Sequence, residues 1–291
     1  MRLDRIFFDP DGRLRPSWRA LVFVPAFGVL FLLISVAAGF VIPEWRHRDL
    51  EFMLAVGGVA SLLAALLAAK FLLQFLDRRD FRTLGLWFYS GWLAELGIGL
   101  AGGFLLISLV VGVQWWLGGV EFVRLAASGS VLLGAAVWNF VMLLPAAAGE
   151  ELLFRGYPFQ RLVDAWGGWP ATLAFAALFG ALHLGNPSST ALSTLNTSLM
   201  GVLLALAYLK TRGLWLPIGL HFAWNYALGF LYSLPVSGIQ LAGLWQVEVT
   251  GPRWLTGGAY GPEGSLVSTL IALTGIVVLA RTRRLRICSV S

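Results

Sequence analysis

Long apolar segments separated by short polar stretches constrain this chain more than any other feature of its sequence. A helix needs about 20 mostly apolar residues to cross a bilayer. With 58% hydrophobic and only 12% charged residues, the chain is too apolar for a soluble domain of its size. The sequence therefore predicts an all-α, polytopic integral membrane protein. We place about eight transmembrane helices at residues 19–42, 52–75, 92–117, 131–162, 171–184, 191–209, 214–234 and 266–280.

The distribution of basic residues predicts how these spans are oriented. Most arginines fall at one alternating set of segment ends, whereas the opposite ends hold Arg46, Arg48, Arg124 and Arg253. Basic loops remain in the cytoplasm, so both termini are expected there. We divide the chain into a cytoplasmic N-terminal segment at 1–18, a single membrane domain at 19–280 and a basic cytoplasmic tail at 281–291. Within the membrane domain, residues 235–264 are rich in Gly, Pro and Trp and are interpreted as an interfacial loop.

The net charge of +6 follows from the arginines at segment ends and does not indicate a nucleic-acid partner. The expected surroundings are the lipid bilayer, and the richness in Arg, Gly, Ala and Trp favours the cytoplasmic (inner) membrane of a prokaryote. The single cysteine excludes an internal disulfide and a cysteine-based zinc site.

Two adjacent carboxylates and an arginine follow the fourth apolar run, at Glu150, Glu151 and Arg155. An ionisable residue within the bilayer costs about 2.5–3.5 kcal/mol on insertion scales, so a functional role is the default hypothesis. Residues four apart share one face of a helix, and Glu151 is therefore expected to pair with Arg155. Glu150 points about 100° away around the helix and keeps a free carboxylate. The spacing predicts a structural ion pair beside a working acid.

Two later segments carry polar residues at the same four-residue spacing. Phe179 and His183 share a face of the fifth segment, and His221 and Asn225 share a face of the seventh. Amide hydrolysis needs a general base and donors directed at the developing negative charge. The glutamate motif can supply the base, and a histidine with an asparagine can supply two donors.

In chain order, Glu-Glu-x-x-x-Arg, Phe-x-x-x-His and His-x-x-x-Asn resemble the motifs of the CPBP family of intramembrane proteases. That family includes the Rce-type CAAX prenyl endopeptidases and the bacteriocin-processing relatives also called Abi proteins. The resemblance covers a catalytic core at about 131–233, and the flanking spans add nothing specific. It implies hydrolysis of a peptide bond by a water held within the membrane.

Roles follow from the resemblance position by position. Glu150 corresponds to the general base, and His183 helps to hold or polarise the water. His221 and Asn225 correspond to the donors that face the oxyanion. The resemblance and the helical spacing together give supporting roles to Glu151, Arg155 and Phe179.

A zinc-dependent mechanism is the alternative for the same residues. Two histidines and one glutamate form a known catalytic zinc set, here Glu150, His183 and His221. The HExxH spacing is absent, however, and a zinc-bound Glu150 would leave the reaction without a base. We therefore favour a glutamate-type enzyme with no cofactor, and zinc remains the alternative.

Two other functions are compatible with this pattern. A non-catalytic immunity or scaffold protein of the same fold would keep the cluster for structure alone. A transporter would use the carboxylates and histidines as a proton relay, but the chain shows no inverted repeat.

The expected partner is a peptide or protein substrate, which the membrane setting allows to be membrane-anchored. CAAX-type proteins, bacteriocin leaders and anchored regulators all remain open, as does the oligomeric state.

Overall fold

A computed structural model of the chain describes residues 4–42, 45 and 48–283. Most of the predicted tail at 281–291 lies outside these residues. Besides shorter turns, the described part contains nine helices of ten or more residues. They are α1 (Pro16–Val41), α2 (Leu50–Phe71), α3 (Trp92–Trp116), α4 (Gly129–Arg155), α5 (Tyr157–Trp166), α6 (Gly168–Leu182), α7 (Ala191–Thr211), α8 (Trp215–Tyr226) and α9 (Leu266–Arg281).

Six helical stretches in the described part are long and apolar enough to cross a membrane. They are Pro16–Val41, Leu50–Asp77, Trp92–Trp116, Gly129–Trp166, Gly168–Gly185 and Ala191–Thr211. The other two predicted spans correspond to α8, which continues as a π-helical turn over Ala227–Leu231, and to the shorter apolar helix α9. The chain is therefore an all-α integral membrane protein, as predicted. The number of eight spans and the orientation of the termini stay predictions.

The loop predicted at 235–264 contains more regular structure than its composition indicates. Its strand β2 (Trp245–Val249) pairs antiparallel with β1 (Val120–Arg124), which follows α3. A short helix at Arg253–Thr256 and two 3₁₀ turns complete the segment. The sequence did not reveal this ribbon, because its two strands are five residues long and far apart in the chain.

Helices α4 and α5 form one long stretch that bends at Gly156. The 27 residues of α4 extend about 40 Å at 1.5 Å per residue, which already exceeds the hydrocarbon core of a bilayer. Gly156 has non-helical backbone angles, and Pro158 lies in the first turn of the following helix. The break lies directly after Arg155, so the glutamate motif occupies the last turns of α4.

Helix α3 packs closely against α8 through a pair of glycines one turn apart. A Cβ atom at Gly99 would lie 2.3 Å from the Leu216 carbonyl oxygen, and one at Gly103 would lie 2.1 Å from the Leu220 carbonyl oxygen. Gly219 on α8 makes the reciprocal approach to α3. Small residues allow two membrane helices to come this close. Because Leu220 precedes His221, this contact also determines the position of a candidate site residue.

The α3–α8 contact yields a stability prediction. Gly103→Ala places a methyl group against the α8 backbone and is expected to cost about 1–3 kcal/mol through overpacking. Thermal unfolding in detergent measures the loss, and the same shift of α8 should reduce any activity that depends on His221.

The matched control is Gly102→Ala, because a Cβ atom there meets nothing within 4 Å. Alanine is favoured over glycine inside a helix, so this variant is expected to be neutral or slightly stabilised. Equal melting temperatures for the two variants would contradict the proposed close approach.

Candidate active site

Five of the seven candidate residues line one cavity of about 470 Å³. They come from three helices and a turn, and they are Glu150, Phe179, His183, His221 and Asn225. Apolar residues of α1 and α2 form another part of the wall. The remaining two candidates, Glu151 and Arg155, are buried behind this wall at 0% and 1% exposure.

The buried carboxylate of Glu151 connects two of the three motifs. Its Oε1 accepts a hydrogen bond from Arg155 Nη1 at 3.0 Å, which is the ion pair that the helical spacing predicts. The same oxygen lies 2.8 Å from His221 Nδ1 on α8. A carboxylate that leaves water needs such partners, because an unpaired buried charge is very costly. The sequence indicated the first contact and missed the second.

Arg155 extends the same network to two further helices. Its Nη2 donates to the Gly201 carbonyl oxygen of α7 at 2.9 Å. Its guanidinium carbon lies 5.0 Å from the centre of the Phe179 ring on α6, within the range of a cation–π contact. Arg155 therefore holds α4, α6 and α7 together at the level of the cavity, and Phe179 contributes through its ring.

His221 lies between the two glutamates. Its Nδ1 faces Glu151, and its Nε2 lies 3.8 Å from Glu150 Oε2. The Glu150 side chain is 37% exposed, and its Oε2 has no hydrogen-bond partner in the described part of the chain. The two neighbouring carboxylates therefore differ in kind. Glu151 is fully buried and paired through Oε1, whereas Glu150 is partly exposed and lines the cavity.

His183 lies just beyond the last residue of α6, in a 3₁₀ turn that continues the helix. Its Nδ1 lies 2.7 Å from the Phe179 carbonyl oxygen. A carbonyl can only accept, so this contact places the Nδ1 proton and leaves Nε2 as an acceptor in the neutral ring. The Phe179 ring is 4.6 Å from the imidazole, centre to centre, and fixes its orientation.

Asn225 follows His221 by one helical turn and faces the same cavity. In the described part of the chain its side chain makes no hydrogen bond with another residue. An amide in a cavity wall offers two N–H donors to an occupant. His221 and Asn225 thus present polar atoms from one face of α8.

The far wall of the cavity comes from the loop at 235–264, which the sequence did not connect with the site. Glu263 accepts hydrogen bonds from Trp224 Nε1 at 2.9 Å and from the backbone and hydroxyl of Ser237. Next to it, burial and the Glu263 charge raise the pKa of the Tyr260 hydroxyl, which stays protonated at neutral pH. In the sequence, Glu263 is recognisable as an acid just before the last apolar segment, but its position there does not indicate a partner.

The described residues contain no group of three His, Cys, Asp or Glu side chains arranged to hold a metal ion. Of the alternative zinc set, Glu150 and His221 approach each other, whereas His183 is held by its own helix. As arranged, these donors do not fit a three-ligand zinc site, and we derive no step through a metal.

Comparison with known proteins supports the resemblance that the three motifs indicate. Residues 132–227 match the family model described as Rce1-like, type II CAAX prenyl endopeptidase Rce1-like. A comparison with curated protein sequences finds no match to this chain. All seven candidate residues lie within the matched segment. The resemblance is therefore confirmed over this segment, which is similar to the Rce1-like members of a protease family.

Proposed function

We propose that this protein is an intramembrane endopeptidase whose nucleophile is a water activated by Glu150. The observation that carries the proposal is the open Glu150 carboxylate, which lines the cavity beside a fully buried and paired neighbour. A general base must accept a proton from the attacking water, and it must be within reach of that water. Of the two glutamates, Glu150 is the one that lines the cavity and is partly exposed, so a water in the cavity can reach its carboxylate.

His183 is proposed as the second group that holds the water. With its Nδ1 proton directed at the Phe179 carbonyl, Nε2 can accept one hydrogen bond from the water. Glu150 accepts the other proton as the water attacks the carbonyl carbon. Two acceptors orient the water so that its lone pair points away from both of them.

His221 and Asn225 are proposed to stabilise the oxyanion of the tetrahedral intermediate. Asn225 donates through its amide. His221 donates through Nε2 when the ring carries a second proton, since Nδ1 already faces Glu151. Removing one such donor typically costs about 2.7–4 kcal/mol of transition-state stabilisation.

The family match favours a peptide substrate of CAAX type, and a bacteriocin-like leader is the other candidate. We further propose eight spans with both termini in the cytoplasm of a prokaryotic inner membrane, on the strength of the arginine distribution. Comparing the membrane proteomes of cells with the active protein and with Glu150→Gln identifies the substrate, because the uncleaved form accumulates in the variant.

Glu150→Gln is expected to abolish cleavage of that substrate without changing the melting temperature. Glutamine keeps the shape of the side chain but cannot take the proton of the water. The measurement is the cleavage rate in detergent or liposomes, with Glu121→Gln on the exposed ribbon as the control of equal charge change. A variant that retains a tenth of the wild-type rate would exclude Glu150 as the base.

Glu151→Ala and Arg155→Ala are expected to lower both stability and activity. Each change leaves a buried charge without its partner and costs about 3–5 kcal/mol. Arg79→Ala is the control, because its side chain is 49% exposed and its 3.7 Å contact with Asp164 is worth about 1 kcal/mol or less. A wild-type melting temperature for either buried variant would argue that the pair is hydrated.

The metal-free proposal predicts that exhaustive chelation leaves the cleavage rate unchanged. Elemental analysis of the purified protein is expected to find no stoichiometric zinc. If zinc were catalytic, the chelator would remove it from its ligands, and the cleavage rate would fall. Detection of about one zinc per chain that disappears in His221→Ala would reverse the assignment and return the site to the zinc-dependent alternative.

A further inference from the structure

A second cavity, of about 430 Å³, lies apart from the proposed active site and is lined by an unusual number of arginines. It shares no lining residue with the first cavity. Its charged lining consists of Arg79, Asp80, Arg82, Arg161, Asp164 and Arg212. The lining thus carries an excess of positive charge, and the peptidase proposal leaves this feature unexplained.

Arg161 provides a buried donor in the wall of this cavity. Its side chain is only 4% exposed, and its two terminal nitrogens reach Asp77 at 3.1 Å and Asp164 at 3.2 Å. Its Nε is buried and has no hydrogen-bond partner within the described ranges. Asp77 is itself buried and shared with Arg19, which holds the Arg161 guanidinium in place. Arg161 is therefore a fixed cation with an unused donor.

Two more arginines of the cavity have no acidic partner. Neither Arg82 nor Arg212 lies within ion-pair distance of a carboxylate among the residues that the structure describes. Arg82 is exposed and packs over the Trp87 ring at 5.2 Å, which orients its side chain without neutralising it. Arg212 is the exposed residue that follows the end of α7. Unpaired guanidinium groups around one cavity attract an anion.

The cavity also lies where several helices end. Its residues belong to the end of α7, to α5 beyond the bend at Gly156, and to the segment that connects α2 with α3. The arginine distribution assigns this end of the bundle to the cytoplasm. Basic pockets between helices at the cytoplasmic side bind phosphate-bearing headgroups.

We propose that this cavity binds a phosphate-class anion, of the kind that an anionic phospholipid or free phosphate presents. The guanidinium group forms paired, charge-assisted hydrogen bonds with phosphate oxygens. A phosphate is therefore a better ligand for several arginines around one cavity than a carboxamide or a sugar. The inference does not depend on the peptidase activity.

The test uses the full-length protein, delipidated in a neutral detergent. Native mass spectrometry measures the affinity for phosphatidylglycerol and for zwitterionic phosphatidylcholine, and thermal unfolding measures stabilisation by inorganic phosphate against chloride at equal ionic strength. The cavity variant is Arg82→Gln with Arg212→Gln. The matched control is Arg13→Gln with Arg281→Gln, two exposed arginines at the same predicted face that do not line the cavity.

Wild type and control are expected to prefer the anionic species, and the cavity variant is expected to bind it at least about tenfold more weakly because charge-assisted hydrogen bonds are lost. Preferential binding of phosphatidylglycerol identifies a headgroup site, whereas stabilisation by inorganic phosphate alone identifies a free-anion site. Should the double variant fail to fold, Arg82→Gln alone makes the same comparison at an exposed position. Equal losses in the cavity and control variants, or wild-type affinity in the cavity variant, would overturn the proposal.

Discussion

The structure depends on one buried carboxylate oxygen, Glu151 Oε1, that receives both a guanidinium and an imidazole. A charge at 0% exposure is tolerated only when its partners satisfy it, and here the partners come from two helices. Arg155 carries the link onward to the Gly201 carbonyl of α7. One acid thereby sets the register of three helices around the cavity. Without it, His221 Nδ1 would lose its hydrogen-bond partner.

Close helix contacts make this network geometrically attainable. The α3 glycines bring α3 against the turn of α8 that precedes His221. On the opposite side, a Cβ atom at Gly149 would lie 3.1 Å from the Leu62 backbone nitrogen, so α2 approaches α4 directly beside Glu150. Lipid tails are as apolar as the side chains, so the hydrophobic effect does not bring helices together in a bilayer. Close packing contacts take its place. Backbone approach on two sides therefore positions the helices that carry the acid and the imidazole.

The sequence predicted what depends on local periodicity and missed what depends on contacts between distant segments. Helical spacing was sufficient for the Glu151–Arg155 pair. The Glu151–His221 contact joins residues 70 positions apart, and no local pattern encodes the rotation of one helix against another. The same holds for Glu263, whose partners lie on α8 and in its own loop. Six stretches in the described part are long and apolar enough to cross a membrane, and because α8 and α9 are shorter, the number of eight spans stays a prediction.

Neighbouring positions on one helix give the two glutamates opposite environments. Glu151 turns inward and pairs through Oε1 with Arg155 and His221, whereas Glu150 turns about 100° away, lines the cavity and stays 37% exposed. His221 contacts both, with one ring nitrogen toward each carboxylate. Pairs of acids in different environments are a recurring way to separate a structural role from a proton-accepting role. The proposed mechanism uses this difference, because Glu151 holds the imidazole while Glu150 is the proposed base for the water.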